Sequence, residues 1–365
     1  MKVLVSVFNN LCTDQRVEKV CRTLSENGFQ PELIGNNWCG LPEMKRDYPF
    51  SRIMLKSKVL KFAYVEFQMK LYHELLRKAN MNTILLSNDL DTLLPNYLIS
   101  KKFNIPLVFD SHEIFTEMPS VNGRFTQKIW RALESFVVPK LRYMMTASES
   151  YADWFTKTYE IERPTVVQNF PRKTANLQDY SQINSPKIIL YQGVINPSRG
   201  LDKMIPAMKF IENAELWIAG DGPQKKEYLA LTKDLKLENQ VKFIGKLLPE
   251  KLREISRKAD VGLSIEENNG LSYYFSMPNK VSDYIQARIP VVVSDFPEMR
   301  KVVDHFQVGE KIRNYEELAD RVKIVLEKGK SFYENPLNKA AAELCWENEE
   351  PKIVNLFEKV AKENF

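Results

Sequence analysis

The chain has 365 residues, of which 44% are hydrophobic and 27% charged, and its net charge is +5. A chain of this length is too long for one ordinary hydrophobic core, so we expect two domains. No apolar run approaches the roughly 18 residues of a membrane span. The net charge is too small to indicate a nucleic-acid partner. The four cysteines, at positions 12, 21, 39 and 345, match no CxxC or zinc spacing, so we expect reduced thiols in a cytoplasmic protein.

The first half of the chain alternates short apolar runs with helical patterns. The predicted strands are 2–8, 30–34, 83–87, 106–110, 144–148 and 165–168. The predicted helices are 14–27, 59–78, 93–102, 126–141 and 151–158. Buried parallel strands are short apolar runs, and helices between consecutive strands indicate right-handed crossovers. This half therefore predicts a doubly wound α/β domain, which we assign to residues 1–170.

A polar segment without periodicity, 171–186, is predicted to be a linker. A second alternating series follows it, with strands at 187–192, 215–219, 241–244, 261–265 and 290–294 and helices at 200–208, 225–235, 249–258 and 315–327. We assign residues 187–345 to a second Rossmann-like domain that faces the first across a cleft. Residues 346–365 end in an amphipathic pattern, which predicts a helix that packs back toward the first domain.

The stretch 275–295 carries the most specific signal for a ligand. It passes from a polar loop to a short helix and then to the β-branched run 291–293. Pro278 suits the start of a helix, and Asn279 is predicted to cap it, which leaves N–H groups free to bind an anion beside Lys280. Asp283 lies one turn further, where its carboxylate can accept hydrogen bonds from ribose hydroxyls. This segment predicts a site for a diphosphate and a ribose.

Two loops that follow strands of the first domain contain polar candidates. Asn9 and Asn10 follow the first strand, where they either bind hydroxyl groups or serve as turn residues before a helix capped by an aspartate. His112, with Glu113 beside it, follows the strand at 106–110 and is the only one of three histidines placed at a strand end. Ligands of doubly wound sheets bind at this edge, so His112 is predicted to be functional rather than a loop histidine bonded to its neighbours.

The loops of the second domain add further candidates. Gly193 and Gly200 bound a tight loop in which Arg199 either reaches a phosphate or lies solvated on the surface. Gly245 and Lys246 are placed to border a base. Either one of the carboxylates of Glu266 and Glu267 faces the ligand, or both residues lie in a solvated loop. No GxGxxG, P-loop, serine elbow or HExxH sequence is present, which excludes the best-known nucleotide and hydrolase signatures.

Taken in order, these loops resemble those of the glycosyltransferases with the GT-B fold known as glycosyltransferase family 4. The matching motifs extend over nearly the whole chain. They are Asp14-Gln15-Arg16-Val17, Asp110-Ser111-His112-Glu113, Val167-Gln168-Asn169-Phe170-Pro171, YQG at 191–193 with Arg199-Gly200-Leu201, Ala219-Gly220-Asp221-Gly222-Pro223, and PNKVSDY at 278–284. Each motif alone is weak, but each follows a predicted strand in the same order as in the family.

The resemblance implies a retaining transferase that uses a nucleotide-diphosphate sugar, with UDP favoured over GDP. It implies a donor site in the second domain, made of Gly193, Arg199, Gly200, Gly245, Lys246, Ser276, Asn279, Lys280 and Asp283. Arg199 and Lys280 would neutralise the diphosphate there, while His112 of the first domain would touch the transferred sugar or support the reacting centre. A saccharide or lipid-linked saccharide acceptor would bind the first domain, with weaker expectations for Asn9, Asn10, Glu113, Glu266 and Glu267. No DxD-type metal site stands in a suitable loop, so we expect neither a metal nor another cofactor.

The chain departs from the family pattern at three positions. Val194 occupies a position that is basic in many relatives, which gives Arg199 and Lys280 more of the phosphate binding. Many relatives carry two glutamates eight positions apart, whereas this chain has Phe275 and Asp283 there. The family pattern therefore does not assign the residue that orients the donor sugar, and Glu266 and Glu267 are the candidates. Two alternatives also remain open, a sugar-nucleotide epimerase or hydrolase and a non-catalytic nucleotide-sugar-binding subunit.

A basic segment of the first domain has two interpretations. Residues 52–78 contain seven basic and two acidic side chains among many apolar ones. The segment is either a domain helix with a solvated charged stripe or a surface that meets anionic lipid, to which residues 124–142 would contribute. The second interpretation predicts peripheral attachment to the inner face of a membrane.

Overall fold

The computed structural model describes residues 1–176, 178, 180 and 184–365. The predicted linker at 171–186 thus lies partly outside the described residues. The chain divides into two compact units, one formed by Met1–Asn169 with Glu349–Phe365 and the other by Phe170–Asn348. Among the described residues, no helix has both the length and the apolar character needed to cross a bilayer.

The first unit is built on a parallel sheet. Its strands are β1 (Lys2–Ser6), β2 (Gln30–Asn36), β3 (Phe50–Ile53), β4 (Thr83–Asn88), β5 (Leu107–Ser111), β6 (Tyr143–Thr146) and β7 (Thr165–Val166). In the described chain they lie in the order β3-β2-β1-β4-β5-β6-β7. Lys2 pairs with Gln30 on one side and with Thr83 on the other. The strand order therefore reverses between β1 and β4, where a crevice opens at the carboxyl ends of the strands.

Helices cover this sheet. They are α1 (Gln15–Glu26), α2 (Leu60–Lys78), α3 (Leu90–Phe103), α4 (Phe125–Val137) and α5 (Glu149–Tyr159). The sequence explains α1 directly, because the Asp14 side chain accepts the Val17 N–H as an N-cap and Val17, Val20 and Leu24 form a buried stripe. This helix lies where the sequence predicts it.

The second unit repeats the arrangement. Its strands are β8 (Lys187–Gln192), β9 (Ala214–Ala219), β10 (Val241–Gly245), β11 (Val261–Ser264), β12 (Val291–Ser294) and β13 (Gly309–Ile312). They are parallel, in the order β10-β9-β8-β11-β12-β13 over the described residues. The helices are α6 (Leu201–Ala207), α7 (Lys225–Asp234), α8 (Pro249–Lys258), α9 (Leu271–Tyr274), α10 (Asn279–Gln286), α11 (Pro297–Phe306), α12 (Leu318–Phe332) and α13 (Glu334–Glu343). A last helix, α14 (Trp346–Asn364), begins in this unit and belongs to the first unit from Glu349 onward. Here the order reverses between β8 and β11.

The prediction of two doubly wound parallel-sheet domains is thus confirmed. The sequence missed β3, β13, α9, α11 and α13. Both strands are short and lie at sheet edges, and the burial of β3 shows no alternation between buried and exposed residues. Their sequences therefore lack the pattern on which strand prediction depends. α9 has only four residues, too few for helical periodicity.

Candidate active site

The turn after β8 is fixed by close approach of two backbone segments. Gly193 follows the strand with φ +138, a conformation that favours glycine. Gly220, at the end of β9, faces it, and a Cβ atom there would lie 1.8 Å from the Gly193 carbonyl oxygen. A Cβ on Gly193 would lie 4.0 Å from Cε of Lys280. The glycines of these loops therefore bring backbone next to the Lys280 side chain.

Three predicted side chains meet beside this turn. The Lys280 Nζ lies 2.7 Å from Oε1 of Glu266, and an Arg199 NH1 donates to Oε2 at 2.8 Å. Glu266 follows β11 and Lys280 lies in α10, so the cluster stands at the reversal of strand order between β8 and β11. Glu266 is 1% exposed and Lys280 8%. The solvated-loop interpretation of Glu266 is therefore wrong, and so is that of Arg199, whose guanidinium is fixed.

Burial and charge act against each other in this cluster. Burial favours the neutral acid at Glu266, but Lys280 and Arg199 hold the pKa of its carboxyl below the usual range. Burial also lowers the pKa of Lys280, an effect that Glu266 partly offsets. The cations contact aromatic rings as well, with Lys280 4.6 Å from the Tyr191 centroid and Arg199 4.8 Å from that of Tyr273. Two cations and one carboxylate leave one net positive charge.

The start of α10 corrects one prediction. Pro278 occupies the N-cap position and Asn279 is the first helical residue, exposed to solvent, so Asn279 is not the cap. Proline fixes its own φ near −65°, and here an extended ψ of 130 turns the chain into the helix. In the preceding loop, the Ser276 hydroxyl donates to the Tyr273 carbonyl. Asn279 is exposed, and its contact with the nucleotide-sugar donor stays a prediction.

Asp283 is held from the end of β8. The Gln192 side-chain amide donates to its carboxylate at 3.1 Å, and the other end of the same amide accepts the Ser256 hydroxyl. Asp283 is half-buried, so it is oriented while part of it stays accessible. Its contact with a ribose remains a prediction.

Of the other predicted donor residues, Gly245 ends β10 and Gly200 directly precedes α6. Gly245 has φ +78 with open space at its Cβ position, and Lys246 is exposed. Gly200 precedes α6 with φ +70, and a Cβ there would meet the Ile265 carbonyl oxygen at 2.3 Å. Glu267 donates its backbone N–H to the Ser198 carbonyl. Glu267 therefore ties two loops together, while Glu266 lies inside the cluster.

A second polar cluster lies in the first unit, at the carboxyl ends of β4 and β5. The two ring nitrogens of His112 lie 3.2 Å from the Asp89 carboxylate and 3.1 Å from the Asp110 carboxylate. Asp110 also receives two hydrogen bonds from Arg16, at 3.0 and 2.7 Å. Asp89 accepts the His112 backbone N–H and has φ 56, outside the usual range for aspartate. His112 is therefore held on three sides.

The charges of this cluster are set by their neighbours. Burial opposes ionisation of Asp110, yet the Arg16 guanidinium and His112 lower the pKa of Asp110 to about 2. Burial raises the pKa of Asp89, against the pull of His112. Burial alone would lower the pKa of His112, but the Asp89 and Asp110 carboxylates raise it to about 9. His112 therefore presents an imidazolium ion at neutral pH.

We predict that the stabilisation of the fold by His112 is lost at alkaline pH. A pKa that is higher in the folded state gives stabilisation that is complete below the unfolded value of about 6.5 and is lost as the pH rises through about 9. The difference in unfolding free energy between wild type and His112→Gln should fall by roughly 3 kcal/mol over this range. Hydrogen exchange of peptides from β4 and β5, followed from pH 6 to 10, measures it for this unit. His305→Gln, which removes an exposed histidine, is the control, and a constant difference for His112→Gln would contradict the prediction.

The weaker acceptor candidates of the first unit lie in the loops that follow β1 and β5. Asn9 uses both ends of its amide within the loop, accepting from the Leu11 N–H and donating to Asp14. Asn10 accepts the Cys12 N–H. These bonds are those of turn residues, as one of the two interpretations predicts. Glu113 is half-buried beside His112, and acceptor contact by all three stays a prediction.

Sequence reasoning missed Asp89 and the roles of Arg16 and Asp110. Asp89 directly follows β4, and reading that loop like the others would have found it. Arg16 appeared only as part of a motif, since no local pattern links it to a residue 94 positions away. In the described part of the chain, no group of three or more His, Cys, Asp or Glu side chains has the arrangement of a metal site.

Residues 173–343 match the family described as "Glycosyl transferases group 1". The matched stretch covers 171 of the 365 residues, somewhat less than half of the chain. It contains the whole Arg199, Glu266 and Lys280 cluster.

The chain is 20% identical to the chitobiosyldiphosphodolichol beta-mannosyltransferase of Candida glabrata, over 87% of this chain and 82% of that protein. It is 34% identical to the lipopolysaccharide core biosynthesis glycosyltransferase LpsD of Rhizobium meliloti, but over only 16% of this chain and 17% of LpsD.

The chain has the fold of solved GT-B structures. Sucrose-phosphate synthase from Thermosynechococcus elongatus superimposes with a TM-score of 0.81 and 13% identity, over 100% of both chains. The Anabaena protein HepE, in complex with UDP-glucose, superimposes with a TM-score of 0.72 and 13% identity, over 98% of this chain and 100% of HepE. At such low identity these likenesses establish the fold alone.

Proposed function

We propose that the protein is a retaining glycosyltransferase that moves a sugar from a nucleotide-diphosphate sugar to a saccharide or lipid-linked saccharide. The observation that carries the proposal is the pair of cations, Arg199 and Lys280, held on one buried carboxylate at the strand reversal of the second unit. Such a pair suits a diphosphate, because both cations are fixed before the ligand arrives and Glu266 removes only one of the two charges.

The proposed chemistry follows from this charge. Transfer breaks the bond between the anomeric carbon of the donor sugar and an oxygen of the diphosphate, and the leaving nucleotide diphosphate gains negative charge. Fixed cations stabilise that charge more in the transition state than in the ground state, and this lowers the barrier. Asp283 would hold the ribose, Gly245 and Lys246 would border the base, and His112 would contact the transferred sugar.

The relatives support the choice of substrates. HepE is known in complex with UDP-glucose, which favours UDP over GDP as the donor nucleotide. One relative is named for lipopolysaccharide core biosynthesis and another for a diphosphodolichol substrate. Both names favour a saccharide or lipid-linked acceptor, and we propose a cytoplasmic role in the synthesis of a cell-surface polysaccharide or glycolipid.

A panel of UDP- and GDP-sugars tests the proposal. The protein is incubated with each donor, and free nucleotide diphosphate, altered donor and bound donor are measured separately. Release of UDP from one sugar is the expected result, and NMR of the product formed when a saccharide acceptor is added should show retained anomeric configuration. UDP released together with free sugar alone would identify a hydrolase. Epimerised donor would identify an epimerase instead. Binding without turnover, the outcome that Val194 and Phe275 would favour, would identify a non-catalytic subunit.

We further predict that turnover needs no divalent metal. Arg199 and Lys280 supply positive charge where a metal would otherwise sit against a diphosphate. Dialysis against EDTA should therefore leave the rate within about twofold of its starting value, since no electrostatic donor is lost. The same rate measured after adding Mg²⁺ or Mn²⁺ is the control. A loss of more than tenfold that either ion restores would refute metal independence.

A further inference from the structure

The first unit contains a cavity of about 520 Å³ in addition to the cluster around His112. The cavity is formed by the turn at Phe115–Glu117, the second half of α4 and the second half of α5. Binding sites for small molecules have volumes of roughly 300–1,000 Å³ and combine aromatic walls with a few fixed polar groups. The volume of this cavity is therefore that of a ligand-binding site.

A buried carboxyl group fixes one wall of the cavity. Glu134 of α4 is only 1% exposed, and its Oε2 accepts the Tyr159 hydroxyl at 2.7 Å and the Thr116 hydroxyl at 3.0 Å. Tyr159 and Thr116 both line the cavity. A hydroxyl group that donates one hydrogen bond can still accept another, so the oxygen of the half-buried Tyr159 can bind a donor of a ligand. This wall is held in place before a ligand arrives.

Two aromatic rings form a corner of the cavity. The rings of Trp154 and Tyr159 have centroids 5.8 Å apart and planes at 83° to each other. Both side chains are half-buried and pack against the core of the unit. A sugar ring has faces that consist of C–H groups, and such a face packs favourably on an aromatic ring. The corner therefore suits the apolar side of a sugar.

The charged groups of the cavity do not suit an anion. Arg131 donates to Glu117 at 2.6 Å, and Glu160 adds a second carboxylate at the end of α5. One cation against two carboxylates disfavours a phosphate or a nucleotide, because like charges repel. Sugar hydroxyls both donate and accept, so they can bind carboxylates and a guanidinium at the same time. The polar part of the cavity thus favours a neutral ligand rich in hydroxyl groups.

The cavity lies close to the residue proposed to contact the transferred sugar. Thr116 follows His112 by four residues, so their Cα atoms are at most about 14 Å apart even in an extended chain. A chain of a few linked sugar units covers such a distance. The corner of Trp154 and Tyr159 is therefore within reach of an oligosaccharide that ends at His112.

We propose that this cavity is a second saccharide-binding site, which holds a neutral segment of an oligosaccharide acceptor away from the end that receives the new sugar. Trp154 and Tyr159 pack on one sugar ring, while Arg131 and Glu117 bind its hydroxyl groups. The role in acceptor binding rests on the proposed transfer reaction, and it narrows the acceptor to a neutral oligosaccharide of several units. Binding itself needs neither a donor nor turnover.

Binding measured without a nucleotide sugar tests the site. The full chain is applied to an array of neutral oligosaccharides of increasing length, and each sugar that is retained is titrated in solution by saturation-transfer NMR. At least one should bind. Trp154→Ala should then weaken this binding by about tenfold, from the loss of one aromatic contact. Arg131→Gln should weaken it by about fivefold, from the loss of one hydrogen bond.

Phe125→Ala is the matched control, because it removes a ring that is 75% exposed at the start of α4, outside the cavity. It should bind like wild type. Trp154→Phe keeps an aromatic ring and should recover most of the affinity, and circular dichroism checks that each variant is folded. Wild type that retains no neutral oligosaccharide, or Trp154→Ala that binds as well as wild type, would overturn the proposal. Preferential retention of phosphorylated sugars would contradict the charge argument.

A transfer assay tests the role in acceptor binding separately. The ratio of kcat/KM for a long acceptor to that for a short acceptor of the same series should fall about tenfold in Trp154→Ala, mainly through KM. In Phe125→Ala this ratio should not change. An unchanged ratio in Trp154→Ala would overturn the acceptor role. If wild type transfers no sugar but still binds oligosaccharides through Trp154, the proposed transfer reaction fails and the binding site stands.

Discussion

Replacing Lys280 with alanine should lower turnover by ~100-fold or more, the effect of losing one key electrostatic donor. The Lys280 ammonium group is buried, lies 2.7 Å from Glu266 and stands against the Gly193 turn. The ammonium group is therefore held in place before the donor binds. In the alanine variant, neither water nor a flexible side chain would replace its positive charge. Steady-state kinetics with the donor identified by the panel measure the loss, which we expect mainly in kcat because the charge matters most in the transition state.

A second variant separates catalysis from simple charge balance. Lys280→Ala leaves the Glu266 carboxylate buried with Arg199 as its partner, and this alone is expected to disturb the site. Adding Glu266→Gln removes that carboxylate charge. If Lys280 acts on the leaving group, the double variant stays slower than Glu266→Gln alone although its melting temperature recovers. If Lys280 only neutralises Glu266, the double variant regains its rate.

An exposed lysine of the same unit supplies the control. Lys251 pairs with Glu254 on the surface of α8, so Lys251→Ala removes a positive charge without touching the cluster. Its rate should equal wild type. A near-wild-type rate for Lys280→Ala, or full recovery in the double variant, would remove Lys280 from the proposed mechanism.

Replacing Arg16 with methionine should destabilise the first unit by about 3–5 kcal/mol, the cost of breaking a buried ion pair from one side. The guanidinium of Arg16 binds both oxygens of Asp110 and donates to the Val167 carbonyl at 2.6 Å. Asp110 is fully buried, so its charge would lose its main partner. Arg16 also connects α1, β5 and the segment after β7, and methionine fills similar volume without these bonds.

The measurement must report on one unit, because a chain of two units need not unfold in one step. Hydrogen exchange of peptides from β5 and β6 gives the opening free energy of that region. Arg22→Met is the control, since Arg22 lies on the same helix in an exposed pair with Glu18 and should cost ~0–1 kcal/mol. Equal effects of the two variants would contradict the importance of the buried pair.

The sequence predicted those parts of the fold that have strong local patterns. β8 and α8 have the predicted bounds, since an apolar run and an initial proline define them. It could not predict β13, whose residues GEKI gain their strand conformation by pairing with β12. Helix α4 shows a related limit. Its periodicity predicts a helix correctly, and Trp130, Leu133 and Val137 pack into the core. The burial of Gln127 and Glu134 on the same helix depends on Thr116 and Tyr159, which bind them from outside the helix.

The candidate site was predictable to a similar extent. Position after a strand was enough to select Arg199 and His112, and the predicted helix start at Pro278 was enough to select Lys280. The partners of these residues were not accessible, because pairs such as Lys280 with Glu266 depend on the arrangement of loops rather than on spacing. The most consequential omission is that the two proposed diphosphate ligands share one carboxylate. Their charge is therefore less than the sequence alone suggests, and their positions are fixed more firmly.

The course of α14 has a consequence for synthesis of the protein. Residues 349–365 of this helix belong to the first unit, where Ile353, Phe357 and Val360 are fully buried and the Phe357 ring contacts Phe29. Residues 1–169 therefore emerge from the ribosome without part of their own core. The second unit can complete its core earlier, although it follows in the chain. The nascent first unit therefore keeps apolar core residues uncovered until residues 349–365 have been synthesised. A fragment that stops at residue 169 should fold only when residues 349–365 are added in trans.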